Sequence, residues 1–122
     1  MSGIAGVLGN GLDDKIKYIY TKIVEQYNDE NNKFKRKKIW LFGFSRGAYI
    51  VRCVAGMIYN CGILKYNNEE LINRAYEIYR SRNPNHDPKG QESQKFKYSF
   101  SHKHPTIKFL GVWDTVGAHG LP

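Results

Sequence analysis

Only two cysteines occur in the 122 residues, and Cys53 and Cys61 stand eight apart. That spacing fits neither a redox C-x-x-C pair nor a zinc half-site, so both read as reduced, structural thiols. No apolar run reaches the roughly 18 to 20 residues of a membrane span. The opening MSGIAGVLGNG has neither the basic start nor the long apolar middle of a secretory signal, which directs the expectation to the cytoplasm. Acidic residues are outnumbered, 11 against 19 lysines and arginines, for a formal charge of +8. Such a balance suits anionic partners, although the abundance of Lys, Asn, Ile and Tyr is equally a compositional bias. No G-K-[ST] closes a phosphate loop, and no RNA- or DNA-binding motif accompanies the charge, so nucleic acid is not an expected partner.

What is present is punctuated order. Residues 12–27 repeat Leu12, Ile16, Ile19, Tyr20, Ile23, Val24 and Tyr27 at helical spacing, with Asp13 and Asp14 placed for a first turn after a glycine-rich loop. This helix is expected to lay one face on a sheet. Residues 28–38 are polar and end in a basic run from Lys33 to Lys38. IWLFGF at 39–44 is continuously apolar, as a strand buried on both faces would be. Ala48, Ile50, Val51, Val54, Ala55 and Ile58 then predict a largely buried helix ending near Gly62.

A further helix is expected from about Asn67, with Glu70 as its capping-box partner. Residues 83–105 show neither period and predict a long surface loop. The loop's His86-Asp87 and His102-x-His104 raise a metal reading, but no cysteine or further histidine completes a ligand set, and no metal or cofactor is expected. A second buried strand, Ile107 to Trp113, delivers Asp114. The order strand, helix, helix, strand predicts a right-handed crossover between parallel strands, hence an α/β fold.

Gly43-Phe44-Ser45-Arg46-Gly47 matches G-x-S-x-G, a strained strand-to-helix turn that forces its central serine outward. Ser45 is the candidate nucleophile, the Arg46 backbone N–H a candidate oxyanion donor, and Gly43 and Gly47 the elbow glycines. Asp114, emerging from the second strand, is the candidate acid; the competing reading is a plain turn cap. His119 alone follows Asp114, and reads as a loop histidine. Phe44 and Arg46 flank the nucleophile, where they suit an acyl or phosphate group.

LFGFSRGAYIVRCVAGMI and FLGVWDTVGAHGLP, at this order and separation and with GNGLDDKIKYIYTKI upstream, resemble the α/β-hydrolase domain shared with phospholipase effectors of bacterial type VI secretion. The resemblance implies a Ser-Asp-His hydrolase of ester bonds, with Ser45 as nucleophile and Asp114 as acid. It implies a lipid or other ester as substrate. Members also carry an Asp-Gly-Thr-type strand before the elbow and a histidine segment after the aspartate, and His119 falls where relatives tend to be apolar. Residues 1–122 are therefore expected to form a partial α/β-hydrolase: a central parallel-sheet segment with nucleophile elbow and flanking helices, weak or inactive alone. A non-catalytic pseudoenzyme or a basic anion-binding module, using Lys33 to Lys38 with Lys95, Lys97, Lys103 and Lys108, is the alternative.

Overall fold

The computed structural model describes residues 4–29, 39–44, 46–103 and 107–113. In chain order these form α1 (Ile4–Tyr27), β1 (Ile39–Phe44), α2 (Arg46–Cys61), α3 (Glu69–Arg80), a 3-10 turn (Pro84–His86), α4 (Gln91–Phe100) and β2 (Ile107–Trp113).

α2 lies at the centre, approached by α1, α3, α4 and both strands. Its Ala48, Ile50, Val51, Val54, Met57 and Ile58 are buried, and they meet Ile16, Tyr20 and Val24 of α1 with Ile72, Ala75 and Ile78 of α3. Helical periodicity in each segment thus produces apolar faces that cover one another. Burying each such side chain removes on the order of 1.5 to 3 kcal/mol of apolar exposure.

The expected α/β class is corrected by this arrangement. Of the residues whose side chains the structure describes, 75% are helical and none lies on a strand. The core among them is helix on helix, and α1 rests on α2 and α3 rather than on a sheet. β1 and β2 do pair, parallel, with Trp40 opposite Phe109 and Phe44 opposite Trp113 after a register shift between Ile39 and Trp40. Two strands of six and seven residues beside helices of 24, 16, 12 and 10 do not make the sheet-centred domain that the apolar runs suggested. The physical reason is that a short apolar run reports burial without reporting what buries it.

Three local expectations also shift. The glycine-rich start is not a loop, because α1 begins at Ile4. Asp13 consequently lies well inside the helix, where its carboxylate takes a hydrogen bond from the Tyr76 hydroxyl of α3. α3 is capped by Asn68, not Asn67: the Asn68 side chain accepts from Leu71 N at 2.9 Å, and Glu69 and Glu70 fill the first turn. Residues 83–105 are not one loop, since α4 buries Ser93 and Phe96, with the Phe96 and Phe100 rings 5.2 Å apart. A ten-residue helix with so narrow an apolar stripe carries little periodic signal.

The end of α2 is fixed by Gly62. Its φ of +78° is left-handed, and a Cβ there would meet the Ser101 Cβ at 2.8 Å. The Gly62 N–H bonds Ile58 O at 2.7 Å, closing the helix. From Cys61 the chain turns back, so α2 and α3 run antiparallel: the Cys61 thiol donates to Ala75 O at 3.3 Å, and further along Gly56 lies against the Tyr79 ring, 2.9 Å from where a Cβ would stand.

Candidate functional site

β1 ends at Phe44 and α2 begins at Arg46. Ser45 stands between them in the chain and, like Asp114 after β2, lies outside the described residues. What is described is the backbone on either side. Gly43 pairs with Val112 and Phe44 with Trp113, so the ends of the two strands that lead to Ser45 and Asp114 are directly paired. Arg46 opens α2, and its N–H is among the first-turn amides that have no acceptor within their own helix. Gly47 is half-buried, and a Cβ on it would have open space among the described residues.

The antiparallel α2/α3 pair sets the last turn of α3 beside Gly56 of α2 and points it toward that helix's earlier turns. There, on α2, Tyr49 is 47% exposed and Cys53 is buried. From α3, Tyr79 neighbours Cys53, and Arg80 lies near Tyr76 and Tyr49. Burial raises the Tyr79 phenol above its ordinary range, with the Cys53 contact adding to it. Tyr76 is raised first by burial and then by its hydrogen bond to Asp13. Arg80 is held above its ordinary value, first by Tyr76 and then by Tyr49. All three tyrosine and arginine groups keep their neutral phenol or cationic forms at physiological pH. Sequence reasoning missed this cluster, because Arg80 reads there only as a favourable cation at a helix C-terminus.

The two described histidines have partners of their own. His86 Nδ1 lies 2.7 Å from Ser81 Oγ and its Nε2 2.9 Å from Glu92 Oε1, while Arg74 also reaches Glu92 at 3.4 Å. His102 Nε2 meets Asn28 Oδ1 at 2.7 Å, and its ring packs 4.9 Å from Tyr27. His104 and His119 lie outside the described residues. Among the described residues no three His, Cys, Asp or Glu side chains group as metal ligands.

The basic run from Lys33 to Lys38 also lies outside the described residues. Lys97 is half-buried with its Nζ 3.5 Å from Tyr59 O, and Lys103 sits 5.7 Å from the Tyr98 ring centroid. Lys95 is exposed on α4, and Lys108 lies in β2. Cys53 and Cys61 are both free and buried, as expected of structural thiols. Among the described residues no helix is long and apolar enough to cross a membrane.

A serine between a parallel strand and a helix, with an aspartate after the paired strand, is an arrangement of hydrolases. The chain belongs to the family described as T6SS, Phospholipase effector Tle1-like, catalytic domain, matching its model over residues 1–122. It is also 36% identical over 90 residues to the uncharacterized protein YEL023C of Saccharomyces cerevisiae, an alignment that covers 69% of this chain and 13% of that protein. The chain thus spans a small part of the length of that relative. No solved structure matches it.

Proposed function

We propose that this chain carries the nucleophile and acid of a serine hydrolase that cleaves lipid esters. The observation that carries the reading is the pairing of Phe44 with Trp113, since each is the residue immediately before a proposed catalytic side chain. Ser45 and Asp114 each follow, in the chain, one of those two paired residues. The family match supports a phospholipid as the ester.

In this reading Ser45 Oγ adds to the ester carbonyl carbon while its proton passes to a histidine base that Asp114 orients. The carbonyl oxygen takes the negative charge, facing the Arg46 N–H as one oxyanion donor. Collapse restores the carbonyl and expels the alcohol, which leaves with the proton. Water, deprotonated by the same base, then releases the acid and restores Ser45.

Turnover by this chain alone is proposed to be low. His86 and His102, the described histidines, are engaged by Ser81, Glu92 and Asn28. A triad whose base is removed loses most of its rate and keeps only what the oxyanion site and substrate binding supply, so neither of these two described histidines is proposed as the base.

A fluorophosphonate probe tests the reading. Labelling of the wild-type chain should disappear in Ser45→Ala, with circular dichroism unchanged. A folded wild type that stays unlabelled, or labelling that survives the substitution, would reject Ser45 as an activated nucleophile.

A further inference from the structure

We propose that the face where the ends of α2 and α4 meet, presenting Tyr59, Tyr98, Lys65, Lys97 and Lys103, docks on an anionic lipid bilayer. A bilayer is chosen as the anionic partner because the hydrolase is read as acting on lipid esters, and the proposal rests on that reading for this choice.

The acids of this protein are segregated. Residues 31–68 and 93–113 hold 12 of the 19 lysines and arginines and none of the 11 aspartates and glutamates. These stretches are distant in the chain, and the fold joins them. Leu64 bridges Ser101, the Lys65 N–H donates to Phe100 O at 2.8 Å, and the His102 N–H donates to Ile63 O at 2.8 Å. Beside them, Asn60 of α2 accepts from Ser93 of α4 at 2.9 Å, and Lys97 Nζ lies 3.5 Å from Tyr59 O. Two acid-free stretches therefore share one surface, while Glu25 belongs to α1 and Glu69, Glu70 and Glu77 to α3.

The side chains on this surface are of two kinds. Gln94, Lys97 and Tyr98 follow the i, i+3, i+4 spacing that sets residues on one side of a helix, and Gln94 and Lys97 both reach Pro88 O. Glu92 is turned to the other flank of α4, toward Arg74 of α3. Lys103 stands over the Tyr98 ring, and Tyr59 and Tyr98 are 64% and 78% exposed. Among the described residues no carboxylate lies within ion-pair distance of Lys65, Lys97 or Lys103. An exposed tyrosine joins an apolar ring to a polar tip, which suits the headgroup layer of a bilayer. Lysines set among such rings add attraction to anionic headgroups. Tyr59 is 13 residues beyond Arg46, about 20 Å along α2, so this face attaches the protein and is separate from the start of that helix.

Cosedimentation of the whole chain with phosphatidylcholine vesicles, with and without phosphatidylserine, tests the assignment. Ser45→Ala is carried throughout so that no lipid is consumed. Binding should require phosphatidylserine and weaken with salt. Lys65→Gln with Lys103→Gln should weaken it roughly tenfold or more. Lys15→Gln with Lys22→Gln, an equal loss of charge at exposed positions of α1, should change it by less than about threefold. Tyr59→Ser with Tyr98→Ser should weaken binding and leave its salt dependence unchanged.

No binding by the parent chain, equal loss in the two lysine variants, or full binding by the tyrosine variant would overturn the proposal. Heparin binding that follows Lys65 and Lys103 while vesicle binding ignores them would overturn it in favour of a soluble polyanion. Failure of the ester-hydrolase reading is seen separately, as absent fluorophosphonate labelling of the wild-type chain beside intact vesicle binding.

Discussion

The Tyr20 hydroxyl donates to Gly62 O at 2.6 Å and accepts from Leu64 N at 3.3 Å, tying the middle of α1 to the turn that ends α2. Tyr20 is fully buried, and burial raises its phenol far above the ordinary range. It therefore stays a neutral donor at any pH the fold tolerates. Tyr20→Phe would leave a buried carbonyl and a buried amide unpaired, at a cost of about 1 to 3 kcal/mol. Urea unfolding followed by circular dichroism should show the lowered midpoint with an unchanged slope.

Gly62→Ala should cost more than an ordinary glycine replacement. The left-handed φ penalises a side chain by about 1 to 2 kcal/mol, and the new methyl would stand 2.8 Å from Ser101 Cβ. Thermal unfolding of Gly62→Ala beside Gly11→Ala, where a Cβ meets nothing within 4 Å, gives the contrast. The first should lower Tm, and the second should leave it level or raise it.

Acid should weaken the link between α3 and α4. His86 holds the Glu92 carboxyl below its ordinary value, with Arg74 adding to the effect. A lowered folded value means the stabilisation is present above the unfolded carboxylate value and is lost as pH falls through the folded one. Glu92→Gln should therefore lower Tm at pH 6 and flatten its decline below about pH 4.5, which a series of melts would reveal. Glu92 is solvent-exposed, so the effect is expected to be small.

Both thiols should be silent in the native protein. Burial pushes the Cys61 thiol up to about 12, and its hydrogen is given to Ala75 O. Since the thiolate is the reactive form, a disulfide reagent at pH 8 should modify Cys61 only at the rate of unfolding, and at once in denaturant. Mass spectrometry of the time course distinguishes the two.

Helical periodicity made much of this molecule legible. All seven apolar positions expected on α1 are buried or half-buried, and Gly62 ends α2 where the sequence placed its stop. The runs 39–44 and 107–113 form strands over the expected residues. What misled was the step from strands to class, because continuous apolarity in six residues does not distinguish the interior of a sheet from a short pair covered by a helix. α4 was missed for the opposite reason: Phe96 and Phe100 are too few to set a period. The proposed Ser45, Asp114 and Arg46 amide come from a sequence motif, and Ser45 and Asp114 lie outside the described residues. Neighbours that meet only because α3 folds back along α2, such as Tyr79 and Gly56, leave no local mark in the sequence.

The carbonyl end of α2 is completed from far along the chain. Ser101 Oγ donates to Cys61 O at 2.6 Å, and Ser93 Oγ donates to Asn60 Oδ1 at 2.9 Å, both buried. These partners arrive 40 and 33 residues after the positions they bond, and Tyr20 arrives 42 residues before the Gly62 carbonyl it reaches. α2 therefore cannot reach its final form by local closure. Its last turn waits on two long-range encounters, so folding should be a single concerted transition whose barrier is set by loop closure rather than helix growth.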